Sequence, residues 1–152
     1  MALPDIFSKN VADGVIQRIN NLSAASQPKW GKMSVAQMLA HCCVTYEMVY
    51  ENKHPAPNGF VKLMLKLFVK NLVVGEAPYK HNSRTAPAFL ITTDKEFNAE
   101  KARLINYIVR TQQMGAQEFD NKPSLSFGTL NKTEWNNMFY KHLDHHLSQF
   151  GV

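Results

Sequence analysis

Three histidines in this chain have the type and spacing to do chemistry. His41 ends the run Ser34-Val-Ala-Gln-Met-Leu-Ala-His41, and His142 and His146 lie in Tyr140-Lys-His-Leu-Asp-His-His146. A His-x-x-x-His pair on one helix face, joined by a third imidazole from elsewhere, makes a three-nitrogen metal site with a coordination position left for water or substrate. The ordinary reading stands beside it. Six histidines in 152 residues is a common proportion, and neighbouring histidines can simply cover a polar surface. Placement decides between them, and placement depends on the helices that carry the rings.

Length and composition bound those helices. A chain of 152 residues, 45% apolar and 19% charged, suits one globular domain over residues 1–152 with a core that needs no covalent staple. The start, Met1-Ala-Leu-Pro-Asp-Ile-Phe, lacks a basic stretch followed by an apolar run, so a cytoplasmic location is expected. The two cysteines, Cys42 and Cys43, are adjacent on a helix and make no disulfide framework; Cys42 falls on the apolar stripe as a small core residue. The net charge of +5 permits acidic partners without identifying one.

Helical periodicity dominates, and no run alternates with period two over a strand's length, so the chain reads as all-α. A first helix is expected over 8–22. A second runs from a Ser34/Gln37 capping box, with Met33 and Met38 as its hydrophobic staple, to about residue 52. A third, over 60–74, is apolar around most of its girth apart from Lys62, Lys66 and Lys70, which repeat every four residues as a basic stripe. Those lysines exclude a membrane span. After an irregular stretch, Thr93 and Glu96 look like a second capping box for a helix that ends near Met114, with Gly115 after it. The last helix opens at Asn131, with Glu134 three residues on, and closes before Gly151.

At about 100° per residue, an apolar stripe through Trp135, Phe139, Leu143 and Phe150 contains His142 and His146, so both point at the core. His145 falls at the stripe's edge as a surface residue, and Asp144 faces away. His41 lies about 120° from the centre of its own helix's stripe, which by periodicity alone leaves it exposed unless that helix is buried on two sides. Height gives a second constraint. His41 stands about 10 Å from the start of its helix and the His142/His146 pair about 10 Å from the end of theirs, so the levels coincide only if the two helices run antiparallel. The long link from 53 to 92 suits a crossover between parallel second and fourth helices, which makes the last helix antiparallel to the second.

Several segments resemble a known family. Ser34-Val-Ala-Gln-Met-Leu-Ala-His41 with the late His142-x-x-x-His146 resembles the DinB/YfiT-like superfamily. Trp30-Gly-Lys-Met-Ser34, Asn82-Ser-Arg-Thr-Ala-Pro-Ala-Phe89 and Trp135 through Gly151 resemble a branch of it catalogued as a domain of unknown function. The resemblance implies a four-helix bundle in up-down-down-up order, with the third helix as an extra element in the crossover, and a divalent metal held by His41, His142 and His146. It also implies chemistry on low-molecular-weight thiols or their adducts, by transfer, isomerisation or hydrolysis. Having His145 beside His146 leaves open which of the two imidazoles binds.

Zinc suits three imidazoles best, with nickel, iron, manganese or copper compatible with the same ligand type. Gln37 and Thr45, one turn either side of His41, are candidates to orient its ring. In Tyr79-Lys-His-Asn-Ser-Arg84, Lys80 and Arg84 are candidate holds for a carboxylate or phosphate, the alternative being a solvated loop. His54 and His81 read as solvent histidines, and Trp30 and Trp135 as core anchors. Two classes of function follow. One is a metal-dependent enzyme acting on a small, thiol-type substrate; the other is a binding or structural protein whose metal locks the helices. A solvent pocket lined by the 75–92 loop favours the first, and a closed fourth ligand the second. Nucleic-acid binding ranks behind both, since the basic residues are scattered. The apolar third helix must be covered by the protein's own core or by a partner subunit, so a homodimer is expected.

Overall fold

Capping chemistry sets most helix starts in the computed structural model, which describes residues 2–152. Ser8 opens α1 (Lys9–Asn20) by accepting from the Val11 amide. Ser34 and Gln37 form the expected reciprocal box at the head of α2 (Val35–Tyr50). Asn58 caps α3 (Gly59–Phe68), which is followed at once by the short α4 (Lys70–Val74). α5 (Phe97–Met114) begins later than Thr93, because the Glu96 carboxylate itself accepts from the amides of Asn98 and Ala99. Gly115 closes α5 at φ +76°, in the left-handed region. Asn131 and Glu134 box the start of α6 (Lys132–Gln149).

Two expectations need correction. The third helix is broken at Val69, so its lysines form no single stripe: Lys62 and Lys66 stay on α3, while Lys70 turns back to pair with Glu134 at 2.7 Å. The chain is also not purely helical, since β1 (Lys122–Ser124) and β2 (Gly128–Leu130) form an antiparallel hairpin that pairs Pro123 with Thr129. Three residues per strand are too few to show an alternation, which is why periodicity missed them.

Side-chain contacts give the helix directions. Along α2, Glu47 meets Arg103 and Tyr50 meets Thr111, so α5 runs parallel to it. On another side, His41 meets His146 while Tyr46 meets Phe139, so α6 runs antiparallel. α1 runs with α6, from Ile6 donating to Asn136 up to Arg18 pairing with Asp144. One apolar cluster joins these helices. At its middle Tyr46 is stacked between Tyr107 and Phe139, with centroids 5.5 and 4.9 Å away. Trp135 belongs to this core as expected; Trp30 does not, and stays half-buried at the edge of a cleft. α2 is covered almost all round, with twelve of its sixteen residues buried, and that explains how a ring off the apolar stripe can still lie inside.

Candidate metal centre

His41, at 5% exposure, is turned inward from α2 toward α6. His142 and His146, one turn apart on α6, reach the same point from the other side. One ligand nitrogen from each of the three rings falls within 4.8 Å of the others, and this is the one such group of histidine, cysteine and carboxylate residues among those described. The antiparallel pairing of α2 and α6 brings it about. It puts the middle of one helix level with the last two turns of the other.

The outer nitrogens fix the rings. His41 Nδ1 lies 2.8 Å from the Phe89 carbonyl, which can only accept, so that nitrogen carries the proton and Nε2 faces inward bare. His146 Nδ1 lies 2.8 Å from Gln149 Oε1, and the Gln149 amide is held in that sense by donating through Nε2 to the Trp30 carbonyl at 2.7 Å. His146 Nε2 is therefore bare as well. His142 Nδ1 lies 3.0 Å from the Thr45 hydroxyl, which can donate or accept, so this ring alone can carry its proton on either nitrogen. Its Nε2 approaches His41 Nε2 to 2.9 Å, where one proton between the two nitrogens makes a hydrogen bond.

Burial keeps the three rings neutral. It is the first cause of a lowered pKa at each: His41 falls below 6.5, His142 well below, and His146 to about 3. Mutual proximity adds to the effect, because a proton on one ring opposes a proton on the next. Neutral imidazoles with outward N–H groups held by oxygen acceptors are the form in which histidine binds metals. To do so, inner nitrogens that now lie within 4.8 Å of one another must draw in around the ion, a pair at that limit by about 1.5 Å. A tetrahedral ion at Zn–N distances of about 2.0 to 2.1 Å holds its ligand nitrogens about 3.3 Å apart, so the His41–His142 pair must open by a few tenths of an ångström. His142 would then pass its inner proton to Nδ1, with Thr45 as acceptor.

Neither residue expected to orient the His41 ring does so, because Thr45 reaches across to His142 instead. Gln37 is spent on the α2 cap and reaches the Thr93 carbonyl at 3.4 Å. The Phe89 carbonyl holds His41, and Gln149 holds His146. A backbone carbonyl leaves no mark in a sequence, but Gln149 is three residues beyond His146, a spacing that puts neighbours on one helix face.

Beside the three rings lies a cleft of about 160 Å³, lined by Trp30, Pro78, Tyr79, His81, Lys141, Asp144, His145 and Ser148. His81 is stacked on Trp30 at 3.8 Å, so it is exposed but not a free solvent histidine. His145 is half-buried and points into this cleft, outside the three-ring group. Lys141 is held by the carbonyls of Leu72 and Gly75, at 2.8 and 2.5 Å, and burial brings its pKa down to about 8. Asp144 is ion-paired with Arg18 and offers no free carboxylate to the rings. Lys80 and Arg84 are exposed and do not line the cleft; the loop reaches it through Tyr79 and His81.

A second polar group occupies another side of α2. Glu47, 7% exposed, binds Arg103 by one carboxylate oxygen and His54 at 2.7 Å by the other, so His54 is not the solvent histidine its loop suggested. Both cysteines are free and buried, and burial raises the Cys43 thiol to about 12, which makes it inert as a nucleophile.

A mostly helical chain with a buried three-histidine group is the class that fold and site define. Residues 8–151 match the family described as a protein of unknown function (DUF1569), and the chain belongs to that family. No curated protein and no solved structure matches it.

Proposed function

We propose that the chain is a metal-dependent enzyme of the DinB-like type, a single four-helix bundle in up-down-down-up order that holds one divalent ion through His41, His142 and His146. The observation that carries this reading is the convergence of three neutral imidazoles whose outer nitrogens are already held by Phe89, Thr45 and Gln149. The directions of α1, α2, α5 and α6 support the bundle order. Zinc fits the ligand set best, with nickel, iron or manganese as alternatives. When bound, such an ion lowers the pKa of a coordinated water to about 7 and holds a coordinated thiol ionised, which suits thiol transfer or hydrolysis on a small molecule. Around it the chain's residues position and exclude. Phe89 covers His41 and His142, at 5.3 and 5.7 Å between ring centroids, and keeps water from their far faces. Lys80 and Arg84, exposed on the loop that reaches the cleft, would meet an anionic substrate at its mouth.

One observation favours a second reading. The three histidines do not themselves line the neighbouring cleft, as they would at an open catalytic site. A metal that only locks α2 to α6 would have this placement. The two readings separate in the cobalt-substituted protein. The enzyme reading expects a low-molecular-weight thiol to give a sulfur-to-cobalt charge-transfer band, and an added alkyl halide to be conjugated faster than without protein, the thiol losing its proton to solvent and displacing halide. His41→Ala removes that acceleration with helical content retained. If no thiol perturbs the spectrum and metal removal sharply lowers the melting temperature, the structural reading holds.

A further inference from the structure

The chain's charge imbalance sits in one place. Residues 52–93 hold six of the 17 Lys and Arg but one of the 12 Asp and Glu, so the whole net charge of +5 falls there and the other 110 residues are balanced. Lys53 and Lys70 are answered from outside the segment, by Glu51 at 2.5 Å and Glu134 at 2.7 Å. Lys62, Lys66, Lys80 and Arg84 have no ion-pair partner among the described residues.

The same segment carries all the large exposed apolar side chains found among the described residues. On α3 and α4, Phe60 is 73% exposed, Leu63 51%, Leu67 61%, Phe68 72% and Leu72 54%, values that leave these side chains in water rather than at the edge of a core. Phe60, Leu63 and Leu67 are spaced to share one face of α3, with Lys66 at its flank. None of the ten α3 residues is fully buried, and Leu65 is the α3 side chain that packs against the core. The helix therefore presents its apolar side outward, opposite to what core packing alone would produce.

We propose that α3 and α4 dock the protein on the surface of an anionic phospholipid bilayer. Phe60, Leu63, Leu67 and Phe68 enter the boundary between head groups and acyl chains, and Lys66, exposed beside Leu63, meets the phosphates. A short helix with Phe and Leu on one side and a lysine at its flank lies in the plane of an interface by these two attractions. Attachment is peripheral, because no helix among the described residues is long and apolar enough to cross a membrane. Charge selects this occupant over a second copy of the chain. Two copies joined through this face oppose like charges, whereas anionic head groups turn the same charges into attraction. The docking is independent of whether the histidines hold a metal.

The test is co-sedimentation of the full chain with vesicles of equimolar phosphatidylglycerol and phosphatidylcholine, and with vesicles of phosphatidylcholine alone. Binding is expected to the anionic vesicles only, and to fall as salt rises. The double variant Leu67→Asp/Phe68→Asp and the charge variant Lys66→Glu should each weaken it by about tenfold or more. Lys66, Leu67 and Phe68 are all exposed, and an unchanged thermal melt verifies folding. Three results overturn the proposal: no binding to anionic vesicles, binding that the Leu67/Phe68 variant leaves intact, or a lipid-free dimer that this variant disperses. The last assigns the face to a second copy.

Discussion

α2 carries two buried polar groups that its surroundings treat in opposite ways. Around Glu47 the charge is answered inside the protein: Arg103 and His54 bind the carboxylate, Glu100 in turn binds Arg103, and Lys53 stands 3.8 Å away. Around His41, three imidazoles turn their inner nitrogens toward one another: His41 and His146 donate outward to the Phe89 carbonyl and to Gln149, His142 shares its proton with His41 Nε2, and no lysine or arginine among the described residues is bonded to them. The first group is complete as it stands and holds α2 to α5. The second presents bare inner nitrogens on His41 and His146, a donor set that suits a positive ion, and no lysine or arginine among the described residues pairs with it. That difference makes the histidines, rather than the Glu47 group, the candidate metal site.

Acid should break this contrast most strongly. In the metal-free protein the three rings stay neutral while their counterparts in the unfolded chain titrate near 6.5, so the unfolded state takes up protons first as pH falls. Stability is thus fully present above about pH 6.5 and lost below it, by at most about 1.4 kcal/mol per pH unit for each ring kept neutral; for His146 the loss continues to about pH 3. Urea unfolding of metal-free protein near pH 7 and near pH 5.5 measures it, and a flat profile would mean that the rings take up protons in the fold over the same pH range as in the unfolded chain.

Breaking the complete group should weaken the fold rather than any ion binding. Arg103→Leu leaves Glu47 with only His54 and the more distant Lys53; because Arg103 is a third exposed, the expected loss is about 2 kcal/mol, below that of a fully buried pair. The same substitution should leave metal affinity unchanged. Gln149→Leu sharpens the contrast from the other end. It removes the acceptor that orients His146, and metal affinity should fall by about tenfold or more in a competition titration. Ser34→Ala, which weakens only the α2 cap, should lower stability by about 1 kcal/mol and leave the metal affinity where it was. Equal effects of Gln149→Leu and Ser34→Ala on affinity would remove Gln149 from its orienting role.

The capping box at Ser34/Gln37 and the helix start at Asn131, with Glu134 three residues on, were legible because a cap is a local pattern of hydroxyl or amide followed at fixed spacing by an amide or carboxylate. The inward direction of His142 and His146 was legible for a related reason, since α6 shows the core one apolar stripe. His41 was not, because periodicity assumes one buried face and α2 is covered nearly all round. Thr93 misled because Glu96 outcompetes it as the cap. His54 and Trp30 were misplaced by non-local partners: Glu47 lies seven residues from His54 in sequence, and the cleft at Trp30 is assembled from α6 and the loop after α4. The outward-facing apolar side of α3 is visible in sequence only as an apolar helix, and its direction needs the packing around it.

The most direct test of the three-histidine centre is metal content of the chain purified without a histidine tag and reconstituted with zinc, set beside His146→Ala and His145→Ala. About one ion per chain is predicted for the unsubstituted protein and for His145→Ala, and none for His146→Ala, because three imidazole nitrogens converge and the fourth lies in the neighbouring cleft. Retention of metal by His146→Ala with its loss in His145→Ala, or no ion in the unsubstituted chain, would contradict it.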